Sequence, residues 1–555
     1  MRGVHVILAL ALSVGLSCDG RADERTHRAD PTGQESLILE GLPGGDTAAY
    51  RYLREIAGPM AGERLEMSGA ELWQVDEKRL DMLHHVAGEQ GVAITRMGDA
   101  FSPVMTVVAK LAPESSGMLE RMRLDKAVTG LSMVELKSPA ELEYALARGT
   151  RPMMGMDGHP LPMAASAEVT GITIGLPGGE QITVQRSFVE TTALGCFWQG
   201  RVTGTDMPVS LMWWPGGRMA GTIMHGGRVY QIRNFGDAAH ALVEIDPRRL
   251  PPEHPPLNRR ADLRPATSVD AVARTGEAMR ARVGRLEAGG SAADAAGDAN
   301  RIPDEIAALL PGSANRAGAP VADQPDFQAA AGTPAAVAIS VLVAYTDAAS
   351  RQYTDIERDL IALAIEQTNQ SFRDSGVAHV TVELAGAVRV AYDEGDGNHF
   401  NHLWRMVDRG DGHLEGIFAL REDKKADVVV LVVDSATGCG LATRVAAPAD
   451  EAFAVVHHGC ATTSYSFAHE IGHIVGARHD RSLDASERPF RYGHGYVNGR
   501  KWRTMMAYET SCEKCPRLPV WSSPRVIIGG DPAGDANTDN ARVIGEGAAR
   551  VAAFR

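Results

Sequence analysis

The stretch SFAHEIGHIVGARHD at residues 466–480 constrains this chain more than any other feature. His469 and His473 are four positions apart, so on a helix both side chains lie on one face, one turn apart. His479 would point away from them if the helix continued at roughly 100° per residue. Gly476 can end the helix first, because glycine adopts left-handed conformations without a steric penalty. The spacing therefore predicts a helix, a turn and three imidazoles that meet at one point.

Three neutral imidazoles with an open fourth position are typical of a catalytic rather than a structural zinc site. Zinc lowers the pKa of a bound water to about 7, which provides a nucleophile at neutral pH. Glu470 directly follows the first histidine, where a general base takes that proton and returns it to the leaving amine. The alternative is a buried helix that carries these residues by chance. The combination of residue types and spacings favours Zn²⁺ bound by His469, His473 and His479.

Three further motifs follow the histidines: WRTMMAY at 502–508, CPR at 515–517 and SSP at 522–524. Together with the histidine motif, they resemble the metzincin zinc metalloproteases, and within them the bacterial peptidyl-Asp metalloendopeptidases. The resemblance covers roughly residues 335–555. It implies a reprolysin-like α/β (α+β) catalytic domain with a mixed twisted sheet and a zinc helix.

The resemblance also implies roles for single residues. Met506 would be the Met-turn residue beneath the zinc, and Tyr508 the tyrosine that some metzincins place near the metal. The strand around residues 440–442 would be the sheet edge that pairs with substrate backbone. Independently of the resemblance, Asp480 directly follows the third histidine, and we expect it to fix the local structure there.

An Asp-directed protease needs a pocket beyond the scissile bond that binds a carboxylate. Arginine suits such a pocket because its guanidinium offers a bidentate fork of donors. Arg503, Arg517 and Arg525 are the candidates, and the sequence does not choose among them. For each one, the alternative is a solvated surface arginine.

The 555-residue chain has room for several domains. Residues 1–22 have the positive start and short apolar core of an export signal, and the alternative is a lipid anchor at Cys18. Residues 23–288 have a β-rich texture, and we expect a propeptide that assists folding and blocks the site. An unrelated adhesion or binding domain is the alternative for that region. Residues 335–555 are the expected catalytic domain.

Residues 289–334 are rich in Ala, Gly, Asp and Pro and are predicted to form a flexible linker, where maturation would occur. An Asp-directed enzyme could release itself by cutting before an aspartate in this linker. The candidates are Asp294, Asp298, Asp304, Asp323 and Asp326, of which the last two are nearest to the first catalytic strand.

The chain has six cysteines, four of them in the expected catalytic domain: Cys439, Cys460, Cys512 and Cys515. This even number suits two disulfides in an exported protein. We favour 439–460 and 512–515, although other pairings exist and the last two could instead bind zinc. Cys196 is left over in the propeptide region. Its thiolate could fill the open zinc position in a zymogen, and the alternative is an inert buried cysteine.

Composition limits the partners. The net charge is −14, without a long basic run, which argues against nucleic acid as a partner. We predict a secreted zinc endopeptidase, made as a zymogen and acting as a monomer on protein or peptide substrates, without a transmembrane segment. The alternatives are a metzincin of other specificity and a surface binding or adhesion protein with a vestigial protease domain. The intact Glu470 argues against a binding or adhesion protein with a vestigial protease domain.

Overall fold

The structure is a computed structural model that describes residues 34–44, 47–58, 63–97, 103–110, 117–147, 171–236, 239–253, 335–395, 397–513 and 515–555. The predicted export signal, Cys18, the predicted linker and its five candidate cleavage sites lie outside these residues. Among the helices of the described ranges, none combines the length and apolarity needed to cross a membrane.

A small antiparallel sheet comes first, with its strands in the order β2-β3-β1-β4. Its strands are β1 (Gln34–Glu40), β2 (Glu63–Arg64), β3 (Glu71–Asp76) and β4 (Ala93–Arg96). Helices α1 (Ala48–Ala57) and α2 (Leu80–Glu89) supply apolar side chains to the same core as β1 and β3. Helix α1 begins after Thr47, whose side chain accepts a hydrogen bond from the Tyr50 amide, as expected of a threonine N-cap.

Nine further strands close into a barrel in the order β10-β11-β12-β13-β6-β5-β7-β8-β9. They are β5 (Met105–Lys110), β6 (Val128–Leu136), β7 (Gly171–Gly175), β8 (Gln181–Thr192), β9 (Gly195–Val202), β10 (Pro208–Trp214), β11 (Arg218–His225), β12 (Arg228–Asn234) and β13 (His240–Ile245). Helix α3 (Gly117–Leu124), helix α4 (Pro139–Leu142) and the π-helical turn Glu143–Ala147 lie between strands. The N-terminal region is therefore β-rich, as the sequence predicts.

The C-terminal region is built on a mixed sheet in the order β15-β14-β16-β18-β17. Its strands are β14 (Val337–Thr346), β15 (Val380–Val390), β16 (Val428–Val433), β17 (Gly440–Ala442) and β18 (Phe453–His457). The first four in spatial order are parallel, and β17 runs antiparallel to β18 at one edge. Every residue of β16 is buried, as expected for a strand covered on both faces.

Helices cover this sheet, and two short hairpins follow it. The helices are α5 (Asp347–Ser350), α6 (Leu363–Asp374), which follows the π-helical turn Glu357–Ala362, α7 (His399–Val407), α8 (Gly416–Asp423), α9 (His458–Ala461), α10 (Ser466–Val475) and α11 (Asn540–Val551). The hairpins pair β19 (Val497–Asn498) with β20 (Trp502–Arg503) and β21 (Ser523–Ile528) with β22 (Asp531–Ala533). Helix α10 packs against α11, β17 and β18, which places it beside the antiparallel edge of the sheet.

Candidate active site

Helix α10 carries the first two histidines, and both are buried. The helix ends at Val475, and the capping residue Gly476 has φ +138° and donates its amide hydrogen to Gly472 O. A Cβ on Gly476 would lie 2.8 Å from the Phe490 ring, so both the conformation and the space require glycine here. The chain then turns, and this turn brings His479 back to the histidines of the helix.

The three imidazoles meet through their Nε2 atoms. The Nε2–Nε2 distances are 3.1 Å between His469 and His473, 3.2 Å between His469 and His479, and 2.9 Å between His473 and His479. A tetrahedral zinc with Zn–N distances of about 2.1 Å needs ligand nitrogens about 3.4 Å apart. The described histidine nitrogens therefore fit one zinc ion after a shift of a few tenths of an ångström.

Hydrogen bonds from the Nδ1 atoms of His469 and His473 fix the orientation of these two rings. His469 donates from Nδ1 to Met505 O at 3.0 Å, and His473 donates from Nδ1 to Ala477 O at 2.9 Å. In each ring the proton is therefore on Nδ1, which leaves the Nε2 lone pair for a metal. Burial lowers the pKa of all three histidines, that of His473 to about 4. Neutral imidazoles are the form that binds zinc.

Glu470 lies next to the first ligand on α10 and is 3% exposed. Its side chain points at the sheet edge, because a Cβ on Gly440 would lie 2.4 Å from Glu470 Oε1. Burial raises the pKa of this carboxyl well above its ordinary value. Its other oxygen, Oε2, is buried and has no hydrogen-bond partner among the described residues. A buried carboxylate oxygen without a partner is costly in a protein interior and is more typical of active sites than of packing.

Two residues of the segment after the histidines, Met506 and Tyr508, lie close to helix α10 and to His479. Met506 is buried, and its sulfur would lie 3.2 Å from a Cβ on Gly472, so the glycine allows the methionine to approach the helix. The Tyr508 ring packs on the His479 ring with centroids 4.2 Å apart. Both residues therefore lie close to the histidines, and their roles as Met-turn residue and zinc-side tyrosine stay predictions.

Asp480 connects this segment to the turn that carries His479. Its carboxylate accepts hydrogen bonds from the Tyr508 amide at 3.1 Å, from Ser511 Oγ at 2.9 Å and from the Ser482 amide at 3.2 Å. The Ser482 hydroxyl is a further partner. One buried carboxylate thus holds together the backbone that follows the third histidine and the backbone that carries Tyr508.

We expect Asp480→Ala to lower the free energy of unfolding by roughly 2–4 kcal/mol, because it leaves buried donors without acceptors. Zinc affinity should fall as well, by about 10- to 100-fold, because His479 loses its support. Denaturant titration and metal analysis measure the two effects. The matched control is Asp531→Ala, which removes a partly exposed carboxylate paired with Lys501 and should change little. Equal stability of the two variants would contradict the role of Asp480.

The three candidate arginines have different surroundings. Arg517 and Arg503 are buried, at 5% and 7% exposed, and both donate to Ala507 O. Burial is the main cause that lowers the pKa of Arg503, to about 10, so this side chain stays charged at neutral pH. Arg525 instead pairs with Asp539 at 2.9 Å, and its side chain is 61% exposed. The structure thus brings two of the three arginines together and leaves Arg525 on the surface.

A small cavity beside the histidines is lined by residues from several segments: Glu253, Cys439, Gly440, Ser466, His469, Glu470 and Arg517. The sequence did not single out Glu253, which belongs to the N-terminal region. Its carboxylate contacts Arg517 Nη2 and lies 3.5 Å from Arg503 Nη2. The only local signal is the diproline 251–252 that precedes it, and this pattern does not reveal a partner far along the chain.

Four cysteines form two disulfides, Cys439–Cys460 and Cys512–Cys515. These are the pairings that we favour from the sequence, and they exclude the alternative of a zinc-binding cysteine pair. The first disulfide joins the start of the edge strand to the helical turn before α10. Covalent closure there holds one wall of the cavity.

Cys196 lies in β9, in the core of the barrel with Trp198 and Trp213, and is fully buried. It is not among the residues that line the cavity beside the histidines. Burial raises the pKa of its thiol to about 11, which disfavours the thiolate that a metal requires. The cysteine-switch hypothesis is therefore corrected: in this structure Cys196 is a buried core residue, as in the alternative.

A second cluster with ligand atoms within 4.8 Å of one another is formed by Asp434, His457 and His458. His458 contacts Asp434 Oδ1 at 3.0 Å through Nε2 and the Tyr353 hydroxyl at 3.1 Å through Nδ1. His457 accepts from the Gly459 amide through Nδ1. Both nitrogens of His458 are therefore engaged by protein groups, and the cluster is a structural hydrogen-bond network.

Comparison with known proteins agrees with this geometry. A family model described as Reprolysin_5, metallo-peptidase family M12, matches residues 335–522. A peptidyl-Asp metalloendopeptidase of Stenotrophomonas maltophilia is 36% identical over 345 residues, which are 61% of this chain and 69% of the relative. The chain belongs to the peptidyl-Asp metalloendopeptidase family. It is a zinc metalloendopeptidase, and the three histidines are the group in the described chain that fits the metal of this family.

Other members of the family are similar to a comparable degree. A peptidyl-Asp metalloendopeptidase of Xanthomonas campestris pv. campestris is 36% identical over 342 residues, 61% of this chain and 68% of its own. One from Pseudomonas fragi is 47% identical over 98 residues, 17% of this chain and 62% of its own. The crystal structure of metalloproteinase-II from Bacteroides fragilis covers 63% of this chain and 86% of its own at 12% identity and a TM-score of 0.31, which is too low for a structural argument.

Proposed function

We propose that this metalloendopeptidase cleaves peptide bonds on the amino side of aspartate, with Glu470 as general base, and that it is exported as a zymogen. The observation that carries the proposal is the composition of the cavity. His469, the buried Glu470 and the buried Arg517 line one small space together. These are the groups needed to activate water and to bind an acidic side chain beside the scissile bond.

The proposed role of each group follows from its chemistry. A zinc ion held by His469, His473 and His479 would supply a Lewis acid for the scissile carbonyl and for water. Glu470 accepts the proton of the attacking water and passes it to the leaving amine. Its Oε2 atom has no hydrogen-bond partner among the described residues and is available for this purpose. We assign to Tyr508, whose ring packs on His479, the support of the carbonyl oxygen as it gains charge.

Arg517 is the proposed receptor for the aspartate side chain, and Arg503 reinforces its charge. Both guanidinium groups are buried, where a charge is costly unless a partner of opposite sign is present. Arg517 Nε has no hydrogen-bond partner among the described residues, so its fork has unused donor capacity. A substrate carboxylate would meet this demand, whereas an asparagine or leucine side chain would not.

The edge strand β17 supports an extended substrate beside the cavity. Within the described ranges its one neighbour in the sheet is β18, so its other side can pair with a peptide backbone. The preceding residue Cys439 already donates its amide hydrogen to a carbonyl of the N-terminal region, Pro252 O, at 2.9 Å. Backbone pairing of this kind fixes the register of the substrate peptide without selecting its side chains.

Export is proposed from the signal-like residues 1–22 and from the two disulfides, because disulfides persist in oxidising compartments. The β-rich N-terminal region would be the part that is removed on maturation.

Three peptides that differ only in the residue after the scissile bond, Asp, Asn or Leu, test the specificity. We expect purified active enzyme to cut the Asp peptide at least about 100-fold more efficiently than the others, because a site built for a charged group rejects analogues that leave it unpaired. A chelator should abolish cleavage and added Zn²⁺ should restore it. Equal cleavage of the three peptides would contradict the specificity. Failure of the zinc-loaded protein to cut any peptide would favour a binding protein instead.

A further inference from the structure

We propose that Glu253 of the N-terminal region occupies the aspartate pocket and keeps the uncleaved chain from binding substrate. The proposal rests on the proposed function, because it assumes that Arg517 receives a substrate carboxylate. It assigns the inhibition to a carboxylate that imitates the substrate side chain.

The contacts of Glu253 are those expected of an acidic substrate residue. Its Oε1 atom accepts from Arg517 Nη2 and faces Arg503 Nη2 at 3.5 Å. Its side chain is 15% exposed, and it lines the cavity together with His469 and Glu470. A substrate carboxylate could not reach Arg517 while Glu253 is there.

The pairing is incomplete, which suits an occupant that later leaves. Glu253 Oε2 and Arg517 Nε are both buried without hydrogen-bond partners among the described residues. A permanent structural ion pair would be expected to satisfy these atoms. The pocket thus offers an acidic ligand more donor capacity than Glu253 uses.

The backbone before Glu253 also lies where substrate is proposed to lie. Pro252 O accepts from the Cys439 amide at 2.9 Å, next to the edge strand β17, and Pro251 O contacts Cys439 Sγ. The two prolines restrict the chain before binding, which lowers the entropy cost of holding it in an extended form.

Polar contacts between the barrel and the C-terminal region hold the segment near the site. Arg218 of β11 forms a bidentate ion pair with the buried Asp359, with both oxygens at 2.8 Å. Gln367 of α6 donates to Thr222 Oγ1 at 2.7 Å, and Gln231 of β12 donates to Thr462 Oγ1 at 3.2 Å.

The segment that ends at Glu253 continues directly from β13 of this docked barrel. A ligand tethered so closely acts at an effective concentration of the order of millimolar. Glu253 therefore outcompetes a free peptide of similar intrinsic affinity for the pocket unless the peptide concentration approaches that value.

Contact with the arginines, not with the metal site, is the basis of the inhibition. The metal-ligating group in this part of the described chain comprises His469, His473 and His479, whose ligand atoms lie within 4.8 Å of one another, and Glu253 is not in it. The inhibited chain should therefore still bind zinc normally. This separates the proposal from a switch in which a propeptide group occupies the metal.

The test uses the full chain with Glu470→Gln, so that a bound peptide is not cut. A fluorescent peptide containing the preferred Asp is titrated into this chain and into versions that also carry Glu253→Gln or Glu253→Ala. The glutamine variant keeps the size of the side chain and removes only its charge. We expect the Kd for the peptide to fall at least about 10-fold in both, because the competitor is removed.

The matched control is Glu135→Gln, an exposed glutamate in β6 of the same N-terminal region, which should leave the Kd unchanged. Zinc content and thermal unfolding verify that each variant is folded. An unchanged Kd in folded Glu253 variants, with an active enzyme that prefers the Asp peptide, would overturn this inference alone. An active enzyme without that preference would overturn the proposed specificity and this inference with it.

Discussion

Replacement of Glu470 by glutamine should leave zinc bound and lower kcat/KM by roughly two to four orders of magnitude, the usual contribution of a general base. Glutamine has nearly the same shape, so the contact with Gly440, where a Cβ would lie 2.4 Å from Glu470 Oε1, should survive. Glutamine cannot accept the proton of water. Steady-state kinetics with the Asp peptide and metal analysis of the same sample measure the two quantities.

Two further variants test whether the loss of activity is specific to Glu470. His473→Ala removes one of the three converging Nε2 atoms and should lower zinc content as well as activity. Glu513→Gln removes a carboxylate that is 67% exposed and pairs with Arg500 on the surface, and it should behave like the unmodified enzyme. Near-normal turnover of zinc-loaded Glu470→Gln enzyme would exclude Glu470 as the base.

The convergence of the three histidines could be predicted from the sequence because its determinants are local. The spacing of His469 and His473 on a helix, and the break at Gly476, depend on backbone geometry within a few residues. The structure has the helix end at Val475 and Gly476 at φ +138°. The buried strand β16 also depends on local information, because a continuous apolar run is typical of a strand covered on both faces.

The sequence could not distinguish among the three candidate arginines, because their surroundings depend on segments distant in sequence. Arg517 and Arg525 are both near the end of the chain, yet one is buried beside Glu253 and the other pairs with Asp539 on the surface. Charge alone does not distinguish a buried guanidinium from a solvated one. The distinction needs the fold that surrounds each side chain.

The structure of the N-terminal region could also be predicted only in part from the sequence. Alternating residues and glycine turns predict strands, but strand pairing across the barrel, such as β6 with β13, joins segments that are far apart. Cys196 illustrates the consequence. As an unpaired cysteine it suggested a metal-blocking role, whereas the closed barrel buries it. Glu253, which carries no motif, reaches the site instead.

Replacement of Arg517 by alanine should remove the preference for aspartate more than it removes activity. Truncation of one partner of a buried charge pair typically costs about 2–5 kcal/mol, so kcat/KM for the Asp peptide should fall by roughly two to three orders of magnitude. The Asn peptide has no charge to lose and should change little. The measured quantity is the ratio of kcat/KM for the two peptides, which should approach one.

Arg517 also donates to Ser464 O at 2.9 Å, so a structural effect must be separated from a loss of recognition. A structural defect would lower kcat/KM for both peptides equally and leave their ratio intact, and that outcome would contradict the proposed pocket.

Arg525→Ala is the matched control, because its guanidinium pairs with Asp539 on the surface, and it should preserve the ratio. Arg517→Lys should retain part of the preference, since lysine keeps the charge but lacks the planar fork of donors. A graded order of arginine, lysine and alanine in the ratio, at constant zinc content, is the pattern that charge recognition by Arg517 requires.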